Sequence, residues 1–137
     1  MIAKAVAGAA VGIVWFVVLA VTDSARAFHL EQTGQVPWVP LALAALVSAL
    51  VLWVSHRLGR PFAAGMCGAL LVSIAVGLVV GPSPAMAPAE VLSFPPVFEV
   101  GSASAVTWVA LGVSLAAAAR QRVAPRQGAS EEPVTAR

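Results

Sequence analysis

The sequence predicts an all-α membrane protein, a bundle of four transmembrane helices arranged as two antiparallel hairpins. Its 137 residues are 60% hydrophobic and 10% charged, with a mean hydropathy of +0.92, which is too apolar for an ordinary soluble domain. Four apolar runs reach the roughly 17 to 25 residues that a helix needs to cross a bilayer. When these runs are placed as spans, the basic residues collect on one side of the membrane.

A single domain is enough for a chain of this length. The predicted transmembrane domain covers residues 1–122, with spans at about 4–22, 38–55, 61–81 and 100–119. Residues 123–137 lack apolar periodicity and are predicted to form a disordered cytoplasmic tail.

The first apolar run, from Ala5 to Val21, follows a single Lys4 and meets the lower length limit for a transmembrane helix. It also has the layout of a signal peptide, because Ala25-Arg26-Ala27 is a small-residue cleavage pattern. The run exceeds the usual apolar core of roughly 7 to 15 residues, so we expect an uncleaved span. Cleavage to a mature chain that starts at Phe28 is the alternative.

A polar segment follows, from Asp23 to Val36, and is predicted to lie outside the helices, although Asp23 and Arg26 would pair if the first helix continued. Asp23, His29 and Glu31 are the only candidates for a metal or hydrolytic site. They lack a metal-ligand spacing and have no Ser or Cys nucleophile paired with a base nearby. We therefore expect no enzymatic activity.

The second span, with Ser48 as its only polar residue at mid-depth, is followed by a basic turn of residues 56–60. A turn this short makes the second and third spans an antiparallel hairpin. The third span carries no charged side chain and ends at Gly81-Pro82.

Small residues mark the predicted helix-packing faces of the first and third spans. Helices approach closely where such residues recur at every fourth position, because packing rather than water drives their association in lipid. This pattern predicts that the third span is the centre of the bundle. The face comprises Gly8 and Gly12 in the first span and Gly65, Ala69, Ser73, Gly77 and Gly81 in the third.

Residues 82–100 hold five of the ten prolines, which forbid a regular helix through Pro96. Because the segment is too apolar for a solvated linker, it is predicted to rest on the outer membrane surface. Alternatively, it is a lid or a partner-docking loop that uses Phe94 and Phe98.

The charge pattern predicts that both termini face the cytoplasm, because positive residues are retained on that side. Arginine outnumbers lysine seven to one, a bias typical of GC-rich bacterial genes, so we expect a bacterial plasma membrane. Only Arg26 falls on the outer side, whereas the inner side holds Lys4, Arg57, Arg60, Arg120, Arg122, Arg126 and Arg137.

None of the four predicted cores contains Asp, Glu, His or Lys, which proton-coupled transporters place at membrane depth. His29 and His56 are predicted on opposite faces and cannot clamp one haem, and Cys67 is the only cysteine. We therefore expect no cofactor and no metal.

The remaining hypothesis is a small accessory or assembly subunit that works through helix–helix packing and the outer proline-rich loop. Its partners would be the lipid bilayer and other membrane-protein subunits, or copies of itself. A net charge of +2 is too small to indicate nucleic-acid binding. The alternative is an oligomeric pore or small transporter with a neutral path lined by the hydroxyls of Ser48, Ser73, Ser104, Thr107 and Ser114.

Overall fold

The computed structural model describes residues 1–80, 91–92 and 96–123, of which 92% are helical and none is in a strand. Three of the described helices are long and apolar enough to cross a membrane. Two further helices, which meet at a bend, would make a fourth span if they cross together. The described part of the chain is therefore all-helical, with helices compatible with a membrane protein. The helices are α1 (Ile2–Thr33), α2 (Trp38–Leu58), α3 (Arg60–Val80), α4 (Pro96–Ala103) and α5 (Ala105–Val123).

α1 is longer than the membrane is thick. Its 32 residues extend about 48 Å, whereas the hydrocarbon core of a bilayer measures roughly 30 Å. The polar segment that begins at Asp23 was predicted to lie outside the helices. This is wrong for the residues up to Thr33, because α1 continues to that residue. The C-terminal third of α1 is a polar helix that continues beyond the apolar run.

Local interactions are consistent with this continuation of α1. Arg26 Nε donates to Asp23 Oδ1 at 3.0 Å, and the three-residue spacing places both side chains on one helix face. The pair is partly exposed, so it adds only tenths of a kcal/mol. α1 ends at Gly34, which adopts a left-handed φ of 68° and donates its N–H to the Leu30 carbonyl at 2.9 Å.

α2 and α3 are joined through Gly59 alone, a tighter connection than the five-residue turn expected from the sequence. Gly59 has a φ of 85°, a conformation that costs little only for glycine. Its N–H donates to the Ser55 carbonyl at 3.2 Å, and its carbonyl accepts from the Ala63 N–H at 3.2 Å. The two helices are therefore connected by a single residue, and both adjoining helix ends are hydrogen-bonded to it.

The expectation of one continuous helix over residues 100–119 is wrong, because the chain bends by 71° between α4 and α5. The N–H groups of Thr107 and Trp108 both donate to the Ser104 carbonyl, at 3.1 and 3.4 Å. Trp108 Nε1 donates to the Ser102 carbonyl at 2.8 Å, so a side chain replaces a backbone donor at the end of α4. Insertion of a side chain into the backbone ladder is a recognised cause of sharp kinks.

Two other expectations fall mainly on residues that are not described. Within the outer loop, residues 81–90 and 93–95 lie outside the described residues. The same holds for the predicted tail from 124 onward, whereas Val123 is the last residue of α5.

α3 contacts each of the other four helices, and α1 packs along it in the same direction. Aromatic and aliphatic side chains from these two helices fill most of the core, and α5 contributes one edge. The core consists of Trp15, Phe16 and Leu19 of α1, Phe62, Met66, Cys67, Leu70 and Ile74 of α3, and Ala110 and Leu111 of α5.

Candidate helix-packing interface

The closest helix contact is the crossing of α1 and α3. A methyl group added at Gly8 would collide with the carbonyl oxygen of Phe62, and one at Gly65 with that of Ala5. One turn further along α1, a Cβ at Gly12 would lie 2.7 Å from the Met66 carbonyl oxygen. Because real Cβ atoms do not approach backbone atoms so closely, only glycine permits this crossing on both helices.

The rest of the small-residue face of α3 also packs within the chain. Ala69 faces Gly12, and its Cβ lies 3.1 Å from the position that a Cβ on Gly12 would occupy. Ser73 is buried, and a Cβ at Gly77 would collide with the Phe98 carbonyl oxygen of α4. Gly81, the last member of the predicted face, lies outside the described residues. The described part of this face therefore contacts α1 and α4 within the chain, and Gly65, Ala69 and Ser73 also line a groove between these helices.

Phe98 was expected in the outer loop, but the structure places it in α4, where it is half-buried. Its ring centroid lies 5.8 Å from that of Phe16, with the planes tilted by 33°. Gly101, one turn later in α4, makes room for the same Phe16 ring, which a Cβ at that position would meet. Phe98 therefore holds α4 against α1, whereas Phe94 lies outside the described residues.

A hydrogen bond joins α1 to α2 near the middle of the predicted spans. Trp15 Nε1 donates to Ser48 Oγ at 2.9 Å, and the Trp15 side chain is fully buried. A buried indole needs an acceptor, because its N–H has no water partner at this depth. From the sequence alone, we noted Ser48 but missed Trp15. The signal that could have identified Trp15 is its position inside the apolar run, where a tryptophan N–H needs a partner within the protein.

The hydroxyls proposed to line a neutral path are buried in helix contacts. Ser114 Oγ donates to the carbonyl of Ala110 in its own helix at 2.6 Å. Ser104 and Thr107 are also buried, next to the bend, and their hydroxyl oxygens have no hydrogen-bond partner. Ser48 Oγ accepts from Trp15 of α1, whereas Ser73 of α3 lines a groove of about 500 Å³ between α1, α3 and α4.

The polar end of α1 does not assemble the suggested catalytic cluster. Asp23 is paired with Arg26, whereas His29 and Glu31 are exposed. Residues two apart on a helix point to different sides, so His29 and Glu31 do not face each other. Among the described residues, no three His, Cys, Asp or Glu side chains come close enough to hold a metal ion.

α2 is the least buried of the long helices. Only 11% of its apolar window is buried, compared with 33% for α1 and 39% for α3. Its outward side carries large side chains at alternating spacings of four and three residues, the seam spacing of a coiled coil. We name this surface the α2 outer face; it consists of Val39, Leu43, Leu46, Leu50 and Trp53, each more than half exposed.

No protein-family model, curated protein or solved structure matches this chain.

Proposed function

We propose that this protein is a small, non-enzymatic accessory or assembly subunit of a larger membrane-protein complex, and that it docks through the α2 outer face. The occupant of this face is a transmembrane helix of the partner. The observation that carries the proposal is the spacing of Val39, Leu43, Leu46, Leu50 and Trp53 on the least buried long helix.

The distribution of small residues supports this assignment of the docking face. Gly8, Gly12, Gly65 and Gly77 make close contacts inside the chain, so α1, α3 and α4 pack against one another through their small residues. α2 is attached to them by the Gly59 turn, the bond from Trp15 to Ser48 and its inner side chains. Its opposite side is left for an intermolecular contact.

The spacing matters more than the exposure, because lipid also covers apolar side chains at no cost. Large residues at alternating intervals of three and four insert as knobs into the holes of a facing helix. Leu43, Leu46, Leu50 and Trp53 extend this pattern over about 15 Å, roughly half of the hydrocarbon core. A partner helix would therefore contact α2 through two to three turns.

The orientation proposed for the chain follows from its charges. Lys4, the 56–60 turn and Arg120 would face the cytoplasm of a bacterial cell, with the polar end of α1 outside. The order of α1, α2 and α3 supports this, since three consecutive spans bring Lys4 and the 56–60 turn to one side. A reporter fused after residue 137 that is active only outside the cytoplasm would contradict this orientation.

Extraction in a mild detergent, followed by purification through an affinity tag, tests the proposed role. We expect a larger membrane-protein complex to co-purify. Leu46→Ala combined with Leu50→Ala should reduce the recovered partner several-fold. Leu78→Ala is the matched control, because Leu78 of α3 is 62% exposed and Leu46 is 67% exposed.

The outer loop is tested by Phe94→Ala, since Phe98 is engaged within the chain; loss of the partner in this variant would add the loop to the docking surface.

Equal losses for Leu78→Ala and for the double Leu46 and Leu50 variant would contradict docking through α2. A homo-oligomer that conducts solute in liposomes would replace the accessory role with the pore.

A further inference from the structure

Basic side chains from three helices meet in one groove at the end of the bundle that contains the Gly59 turn. His56 near the end of α2, Arg60 at the start of α3 and Arg120 near the end of α5 line a groove of about 730 Å³. Its apolar wall is formed by three residues of α5, namely Val113, Ala116 and Ala117. The groove thus has a basic mouth and an apolar wall that continues toward the membrane interior.

The positive charge of the groove comes from its arginines. α2 ends and α3 begins at Gly59, so the negative end of one helix dipole offsets the positive end of the other. Arginine guanidinium groups carry a positive charge at physiological pH. Among the described residues the acidic side chains are Asp23, Glu31 and Glu99, and none of them lines the groove.

The tendency of basic residues to stay on one side of a membrane explains why arginines occur at this end of the bundle. It does not explain why two of them, from different helices, line the same groove. Arg57 shows the difference, because its guanidinium carbon lies 5.3 Å from the centroid of the Trp53 ring and it does not line the groove. This arginine rests on an aromatic face of its own helix. Arg60 and Arg120, by contrast, come from separate helices to the same groove.

We propose that this groove binds an anionic phospholipid of the adjoining leaflet. The guanidinium groups of Arg60 and Arg120 hold the phosphate by charge-assisted hydrogen bonds, and the His56 imidazole supplies a further hydrogen bond. The glycerol and the first part of an acyl chain lie along Val113 and Ala117. A volume of about 730 Å³ falls within the range of specific ligand sites, which is roughly 300 to 1,000 Å³.

Lipid titration of the full chain in a neutral detergent tests the proposal. Short-chain phosphatidylglycerol, phosphatidylcholine and inorganic phosphate are the three probes, and native mass spectrometry measures the bound fraction. We expect phosphatidylglycerol to bind about tenfold more tightly than phosphatidylcholine, and Arg60→Gln and Arg120→Gln each to weaken it about fivefold or more. Millimolar phosphate should not displace the lipid.

Two matched controls separate a built site from diffuse attraction. Arg57→Gln removes one charge from the same membrane side and should change the affinity less than about twofold. Ala117→Leu fills the groove and should weaken binding. Its neighbour Ala118 does not line this groove but a second one, between α3 and α5, which Arg60 also borders, so Ala118→Leu should weaken binding less than Ala117→Leu does.

Three results would overturn the proposal. An equal loss for Arg57→Gln and Arg120→Gln would mean general surface attraction. Competition by phosphate at the affinity of the lipid would mean a free-phosphate site. Equal effects of Ala117→Leu and Ala118→Leu would remove the groove from the explanation.

Discussion

α2 and α3 are neighbouring helices of 21 residues each, joined through one glycine, yet they have opposite places in the fold. α3 contacts each of the other four described helices, whereas α2 lies at the edge of the bundle. Of the most apolar 18-residue stretch of each helix, 11% is buried in α2 and 39% in α3. Both are apolar enough to span a membrane, so hydropathy does not distinguish them. The difference is in what each helix presents to its neighbours: α3 packs both small residues such as Gly65 and large ones such as Leu70 against other helices, whereas α2 turns leucine, valine and tryptophan outward.

Insertion of a helix into the membrane and packing of helices against one another obey different rules. Insertion into the membrane is decided segment by segment, because each apolar helix satisfies its own backbone hydrogen bonds and is transferred into hydrocarbon on its own hydrophobicity. Lipid tails are as apolar as leucine, however, so a large side chain gains little by moving from lipid to protein. Close backbone approach does bring a gain, through dispersion contacts, and small residues are what allow it.

The largest expected effect comes from the same substitution in the two helices. Leu70→Ala should destabilise the protein by about 2 kcal/mol or more, because Leu70 is fully buried and a cavity would remain. Leu46→Ala should stay within about 0.5 kcal/mol, because Leu46 is 67% exposed. Unfolding free energies measured in lipid bicelles compare the two, and similar values would remove the distinction between a central and a peripheral helix.

A second pair tests the close approach of α1 and α3. Gly65→Ala adds a methyl group that meets the Ala5 carbonyl oxygen, so we expect a loss of about 1–3 kcal/mol. Gly68 is one turn away on α3, and a Cβ there meets nothing within 4 Å. Gly68→Ala should therefore be neutral or slightly stabilising. Melting in detergent measures both variants, and a fully stable Gly65→Ala protein would refute the tight crossing.

A smaller effect is expected where α2 does attach to the core. A double-mutant cycle of Trp15→Phe and Ser48→Ala should give a coupling energy of about 0.6 kcal/mol, and at most about 1.7 kcal/mol. This is the usual size for an interhelical hydrogen bond in a membrane. Additive effects of the two substitutions would show that the bond from Nε1 to Oγ does not contribute to stability.

The smallest effect is expected at the bend between α4 and α5, which belongs neither to the tight crossing nor to the outer face. Thr107 is fully buried and its hydroxyl has no partner. Thr107→Val keeps the shape and removes the unpaired group, so it should be neutral or stabilising by less than about 0.5 kcal/mol. Thermal unfolding measures this change. A clear loss of stability would mean that the hydroxyl is bonded in the membrane.

The candidate interface could be predicted only in part. Periodicity in the sequence picked out small residues on α1 and α3, but nothing in it said which surface each would meet. The α2 outer face had no signal of its own, because α2 is apolar on all sides and its regular leucines do not stand out. The pairing of Trp15 with Ser48 was equally hidden, since it joins residues 33 positions apart.

The sequence by itself determined that the chain is helical, that it has three or four segments able to cross a membrane, and where its charges lie. These properties depend on each segment alone, because every backbone amide in hydrocarbon must be satisfied within its own helix. The tertiary structure decided the long polar end of α1, the bend at Ser104 and the placement of the basic side chains around one groove. The groove depends on contacts between helices distant in sequence, of which local composition carries no record. The polar end of α1 and the bend are accompanied by local hydrogen bonds, from Arg26 to Asp23 and from Trp108 to the Ser102 carbonyl, whose formation composition alone does not specify.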